Sequence, residues 1–321
     1  MIIPRGLLPG SSKSSIQKLL QVQLASTQTP ILGEYIIEDE VVLFEPLIPF
    51  TRGKTYEVIW KDKQVAQVTL PATGFRDAPE VVFIYPTGDS VPVNLLKIYI
   101  VFSKPMREGR SLEHIDVIKN GRDTIPGVFL DLQPELWNAH GTMLTIWLDP
   151  GRIKRDLQPN KNLGTPLEEG ARYQILVRPG WVDVEGETLA LPYRKDFVTV
   201  QRDSLSPDPS SWTIHPPKSG SNQVLKIELH ESLDYILLKN AVRIVDRKGE
   251  IVEGTNITIA EETILQFSPF EKWKSGDYTI AVEPRLEDLA GNNLDRLFDN
   301  DITRDSSNRH EKIYRISFRV R

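Results

Sequence analysis

The stretch His230-Glu231-Ser232-Leu233-Asp234 comes nearest to a catalytic motif in this chain. A zinc protease sets two histidines four residues apart on one helical face, with a glutamate beside the first as general base. Here Asp234 stands in place of the second histidine, and the pattern follows a predicted strand instead of lying within a helix. A serine hydrolase needs Gly-x-Ser-x-Gly, whose sharp turn exposes the nucleophile. Gly88-Asp89-Ser90-Val91-Pro92 and Gly109-Arg110-Ser111-Leu112-Glu113 both fail at the last position. The histidines at 114, 140, 215, 230 and 310 share no ligand spacing, and the absence of cysteine removes thiol chemistry. No catalytic residue, cofactor site or metal site is expected, and the chain reads as non-enzymatic.

Binding chemistry has three candidates. Asp295, Asp299, Asp301 and Asp305 could supply the oxygens that calcium requires. Counted as an EF-hand loop from Asp299, however, position six is Arg304 and position twelve is His310, so the Asp295–Asp305 segment reads as a solvated acidic loop. Asp288 and Asn292 read as turn formers. The second candidate is the insertion 151–169, which carries Arg152, Lys154, Arg155 and Lys161 in a chain of net charge −5. Arginine grips carboxylate or phosphate with two parallel hydrogen bonds. With Trp137 nearby, these residues make a candidate anion-binding or partner-docking patch. The structural alternative pairs Arg152 and Arg155 with acids such as Asp149 or Glu135 and pins the loop through Ile153, Leu157 and Leu163. Third, six tryptophans invite a sugar-stacking reading. Trp137 is placed in a loop and is the most available, while Trp212 and Trp273 sit at strand or loop edges and Trp147 lies in an alternating strand. Core or inter-module packing is the commoner role for such rings.

The elements that must position these residues form a repeat. A glycine shortly before a tyrosine opens an alternating strand at Gly53/Tyr56, Gly170/Tyr173 and Gly276/Tyr278. Upstream of each lies a strand closed by proline: Pro46, Pro150 and Pro269. Further upstream stands an apolar residue, one residue and a glycine: Ile31/Gly33, Ile125/Gly127 and Val252/Gly254. Earlier still come period-two strands over Leu20–Leu24, Leu96–Ile100 and Leu225–Leu229. Asp183–Leu189 and Asp288–Leu294 follow the second and third tyrosine strands as matching Asp-Gly turns, while 60–65 reads as a plain hairpin.

The spacing predicts an all-β chain of tandem Ig-like Greek-key β-sandwiches, the first one incomplete. Three domains are expected. Residues 1–75 hold a loose N-terminal arm and the incomplete repeat. Residues 79–201 form a domain with a long loop insertion, and residues 207–321 form the last domain. The first repeat, at roughly 55 residues, falls short of the approximately 100 of a seven-stranded sandwich and is expected to lean on the second. Short helices are expected at 12–19 and 234–240, and 72–78 is read as a linker. Of the 321 residues, 40% are hydrophobic and 26% charged, ordinary for a globular chain, and the negative balance argues against nucleic-acid binding. No apolar run is long enough for a membrane span, and the Pro- and Gly-broken start is not a signal-peptide core.

The opening strand Val81–Pro86, Phe102-Ser103-Lys104-Pro105-Met106 and the later Gly-x-x-Tyr resemble the bacterial Ig-like domains of the S-layer-protein type. Gly276-Asp277-Tyr278 followed by Asp288-Leu289-Ala290-Gly291-Asn292 is similar to that family's closing motif. The third repeat departs at the first motif, reading Leu229-His230-Glu231-Ser232-Leu233. The resemblance implies a β-sandwich array outside the cell or in the periplasm, acting as scaffold, spacer or interaction surface. Its partner would be a protein or a cell-surface polysaccharide, with no nucleic acid, and the oligomeric state stays open. The alternatives are an extracytoplasmic protein reading an anionic glycan or phosphate through residues 151–169, and an accessory module array of a larger enzyme.

Overall fold

The computed structural model describes residues 1–71, 78–155, 157–299 and 313–321. Its contacts divide into two units: Met1–Glu80 with Phe102–Glu108 and Arg178–Pro192, and Val81–Val101 with Gly109–Val177 and Tyr193–Arg321. The linker expected at 72–78 and the acidic residues Asp301 and Asp305 lie almost wholly outside the described residues, as does His310.

In the first unit the strands are β1 (Ile2–Pro4), β2 (Leu20–Leu24), β3 (Thr29–Pro30), β4 (Gly33–Ile37), β5 (Val41–Pro46), β6 (Thr55–Trp60) and β7 (Lys63–Thr69). They form two sheets, β1-β5-β4 and β3-β2-β6-β7. Alternation makes the core: β6 buries Tyr56, Val58 and Trp60, which meet Val22, Val42 and Phe44. Helix α1 (Lys13–Leu19) starts at Ser12, whose hydroxyl accepts from the Ser15 N–H while Ser15 caps in return. The β6–β7 turn places Lys61 at φ 49° and Asp62 at φ 62°, the left-handed pair that matches strand twist.

Two expectations change here. The N-terminal arm is not loose: Ile2–Pro4 pairs with Val41–Leu43, and Ile3 and Leu8 are each 1% exposed. The two apolar side chains hidden from water and the strand bonds to Val41–Leu43 together favour order in this segment. Leu20–Leu24 also does not correspond to Leu96–Ile100 and Leu225–Leu229. It pairs with the tyrosine strand β6, whereas those two strands pair with the proline-closed ones. A period-two pattern reports a half-buried strand without saying which neighbour it takes.

In the second unit the strands of the first sandwich are β8 (Val81–Tyr85), β9 (Ser90–Pro92), β10 (Lys97–Phe102), β11 (Ile115–Lys119), β12 (Asp123–Thr124), β13 (Leu136–Trp137), β14 (Met143–Trp147), β15 (Arg172–Val177) and β16 (Tyr193–Val200). Helices α2 (Pro150–Ile153) and α3 (Gln158–Leu163) lie in the insertion. The last sandwich has β17 (Thr213–His215), β18 (Leu225–Glu228), α4 (Tyr235–Asn240), β19 (Val242–Asp246), β20 (Gly254–Ile259), β21 (Ile264–Pro269), β22 (Gly276–Val282) and β23 (Tyr314–Val320). Its sheets β17-β18-β21-β20 and β19-β22-β23 have the four-plus-three order of an immunoglobulin constant domain. The preceding sandwich repeats that order as β8-β10-β14-β13 and β12-β11-β15-β16-β9. In the first unit β1 lies beside β5 where β10 and β18 lie beside β14 and β21, so that sandwich has one strand fewer on this side.

The repeated residues do the same work each time. Tyr56 accepts from the Thr51 N–H at 2.8 Å, Tyr173 from Glu168 at 2.9 Å and Tyr278 from Lys274 at 3.3 Å, so each hydroxyl ties down the loop entering its strand. Tyr173 stands opposite Phe197 and Tyr278 opposite Phe318, with ring centroids 5.7 and 5.6 Å apart. The residue two before each repeat glycine donates its N–H to the strand that pairs with the tyrosine strand: Ile31 to Val22, Ile125 to Val117, Val252 to Ile244. Glycine is required at 33 and 254, where a Cβ would stand 2.3 and 2.4 Å from the carbonyls of Glu45 and Ser268. Asp183 and Asp288 each accept two backbone N–H groups of the turn that follows, at 2.7–2.9 Å.

Candidate functional site

The insertion is built around Arg152. Asp149 caps α2 by accepting the Gly151 N–H at 2.8 Å, which turns Arg152 inward, where it is 9% exposed. Its guanidinium donates to the carbonyls of Gly127 at 2.6 Å, Thr165 at 2.9 Å, Gly164 at 3.1 Å and Leu163 at 3.4 Å. These bonds close the loop on itself and anchor it to the sheet end. Arg155 donates through its backbone N–H and its Nε to Asp299 at 2.9 and 2.7 Å, and Arg202 reaches the same carboxylate at 2.9 Å. Lys154 lies 4.5 Å from the centre of the Phe298 ring, and Lys161 is exposed on α3. The partner acid is therefore Asp299, a member of the acidic cluster, and neither Asp149 nor Glu135. An anion approaching this loop finds neither guanidinium unengaged.

Trp137 is not in a loop but in the two-residue strand β13, opposite Leu144. Its indole N–H donates to Glu135 at 2.9 Å. Burial favours the neutral form of Glu135, but the Ser111 hydroxyl, the Gly109 and Ser111 N–H groups and Trp137 outweigh it and hold the carboxyl below its ordinary value. Trp60, Trp181, Trp212 and Trp273 are buried in the cores. A concavity of 740 Å³ opens beside Phe83, Tyr193 and Lys195. Its Lys195 ammonium already donates to the carbonyls of Thr87 and Gly88 at 2.9 and 3.0 Å. Among the described residues no three of His, Asp or Glu gather as a metal site.

A different cluster lies between the two sandwiches of the second unit. Tyr99, on β10, donates to Asp234 at 2.6 Å. Lys97, two residues earlier on the same strand face, stands 2.9 Å from Asp234 and 2.7 Å from Glu287. The Lys97, Asp234 and Glu287 side chains are 11%, 3% and 23% exposed. Asp234 also caps α4, accepting the Ile236 and Leu237 N–H groups at 3.1 and 2.9 Å. One carboxylate thus starts a helix in the last sandwich and receives two donors from the preceding one. Burial lowers the Lys97 pKa, but the charges of Asp234 and Glu287 overcome it and the ammonium is held above its usual value. Burial and the Asp234 charge push Tyr99 up, which keeps it a donor.

Around this centre the Tyr85 and Tyr235 rings stack at 3.6 Å with 13° between planes. Thr87 donates its N–H and hydroxyl to the two oxygens of Glu262 at 2.9 and 2.7 Å. The Leu96 N–H donates to the Leu289 carbonyl at 2.9 Å. At Gly291, φ is 80° and a Cβ would stand 2.2 Å from a Leu96 methyl, so the Asp288 turn needs glycine to dock. Asn94 and Asp203 exchange a pair of 2.9 Å bonds that hold the connecting segment.

Sequence reasoning missed this junction. The available signal was β10 with its flank, Leu95–Phe102, whose near-continuous apolar run marks a strand covered on both faces. Tyr99 would face solvent in an isolated sandwich, yet it is 5% exposed. The failed zinc motif also had a meaning: its Asp234 is the junction acceptor. His230 precedes the helix and meets the Thr213 hydroxyl at 2.9 Å.

No protein-family model and no curated protein sequence matches the chain. Among solved structures it is similar to the N-terminal part of the bacterial S-layer protein SbsC, at 15% identity and TM-score 0.26 over 64% of this chain and 40% of that one. It is similar also to domains 4–9 of SbsC, at 13% identity and TM-score 0.23 over 98% of this chain and 40% of that one. A third is the N-terminal Ig1-2 module of the Drosophila receptor protein tyrosine phosphatase DLAR, at 14% identity and TM-score 0.22 over 64% of this chain and 91% of that one. The chain spans 40% of the length of each of these S-layer chains.

Proposed function

We propose that this chain is a non-enzymatic scaffold, spacer or interaction protein built of Ig-like modules bounded at 1–75, 79–201 and 207–321 and displayed at the cell surface. The observation that carries the reading is the junction at Lys97, Tyr99, Asp234 and Glu287. A flexible tether between modules needs no buried ion pair and no glycine shaped to a neighbour's leucine. A device that holds two modules at a set angle needs both, because buried donors and acceptors are satisfied in only one arrangement.

The test exploits the absence of cysteine. Cysteines introduced at the exposed hairpin positions Arg122 and Lys248 of the full chain accept spin labels, and pulsed dipolar spectroscopy reads the distance between them. A single narrow distribution is expected. A broad one would overturn the scaffold reading. Protease treatment of intact source cells tests the display: the chain should be cleaved, and full protection would remove the surface assignment.

A further inference from the structure

The outer edges of the sheets are not treated alike. A terminal strand offers unpaired N–H and C=O groups, and proteins ordinarily blunt it with charge, proline, brevity or cover. On β16 the edge is covered by β9, which pairs in parallel over Val198–Val200. On β20 the Asn256 side chain bonds the Lys239 and Val242 carbonyls and α4 lies alongside. On β23 Arg315 and Arg319 stand along the strand. Strand β17 is three residues long and β12 is two. Strand β7 is the last strand of its sheet, and its register slips at Val65, a bulge; beyond it, over Ala66–Thr69, the strand has no charge, no proline and, among the described residues, no covering strand, its one charge being Lys63 at the start.

Its outward groups can be assigned. Leu70 both donates to Lys54 and accepts from Gly53, so its N–H and C=O face β6. By alternation Val68 also faces β6, while Gln67 and Thr69 present theirs away from it. Val68 stands opposite Tyr56, on the core face. Yet Val68 is 39% exposed, while Tyr56 is 4% exposed. The opposing sheet has three strands against four. Val65, Ala66 and Leu70 touch the core cluster and Val68 is not among them.

We propose that β7 is a strand-addition edge whose occupant is β7 of a second copy of this chain, antiparallel across a two-fold axis at Val68. In that register Gln67 pairs with Thr69 of the other copy, and Thr69 with its Gln67, so the outward N–H and C=O groups of both residues are satisfied. The two Val68 side chains meet as a close, non-hydrogen-bonded pair and cover each other's exposed apolar surface. No like charges meet, since Gln67, Val68 and Thr69 are neutral. A two-fold interface must be complementary to itself, and this segment is. The inference stands independently of the scaffold reading.

The test is sedimentation equilibrium on the full chain up to roughly 0.5 mM, a range that reaches small, weak interfaces. A species of twice the 36.5 kDa chain mass is expected. Val68→Lys and Val68→Glu each place like charges across the axis and should weaken association at least about tenfold. Mixed in equal amounts, the two variants should recover the dimer, because Lys then faces Glu. If circular dichroism shows that either variant has lost its fold, Gln67→Pro serves instead: it removes an N–H that the single chain leaves outward. A monomeric parent overturns the proposal. So does a dimer untouched by these substitutions, or a mixture of the two charge variants that stays monomeric.

Discussion

Lys97→Met probes the junction with least disturbance, because methionine keeps an unbranched stem and removes the ammonium with its charge and its donors. The ammonium it removes lies 2.9 Å from Asp234 and 2.7 Å from Glu287. Breaking a buried pair by deleting one partner costs about 3–5 kcal/mol, since the other charge stays desolvated. Two features place this site near the lower end. Asp234 keeps Tyr99 and two backbone N–H donors, and Glu287 is 23% exposed and can take water. A loss of about 3 kcal/mol follows, which for a body of this size lowers Tm by about 6–12 °C. Calorimetry on the full chain at neutral pH should show that fall. It should also show the joint unfolding of the second and third sandwiches separating into two steps, as cooperativity between them is lost. A loss below about 1 kcal/mol, the range of solvent-exposed pairs, with one undivided transition, would refute the view that this cluster couples the sandwiches.

Arg152→Ala should cost about 3 kcal/mol, because four carbonyls lose their donor, whereas Arg155→Gln, at a side chain 66% exposed, should cost under about 1 kcal/mol; chemical denaturation distinguishes them. Tyr173→Phe and Tyr278→Phe should each cost about 1 kcal/mol by equilibrium unfolding, and by nearly equal amounts, since each hydroxyl holds the same loop. Asp288 carries a pH dependence: burial pushes its carboxyl up to about 7. Folded Asp288 therefore binds its proton more tightly than the unfolded chain does, and the stability this provides is lost as pH rises between roughly 4 and 7. Asp288→Asn should flatten the fall of Tm across that window, and an unchanged slope would assign the dependence elsewhere.

The chain alone determined the local devices. Tyrosine near the start of a strand, glycine before a proline-closed strand, and aspartate opening a turn each act within a few residues, so their spacing carries their role. The sandwich class, the short helices at α1 and α4 and the hairpin at 60–65 were legible for that reason. Only the tertiary structure decided which strand lies beside which. Leu20–Leu24 has the alternation of Leu225–Leu229 but takes a different neighbour, and the arm at Ile2–Pro4 becomes a strand only because β5 offers it an edge. Tertiary structure likewise decided the fate of the charges. Arg152 and Arg155, read as an anion grip, are held by carbonyls and by a carboxylate over a hundred residues away in sequence. Asp234, met as the failed end of a metal motif, became the acceptor that holds two sandwiches together. Long-range pairing depends on which surfaces meet, and no local spacing encodes that.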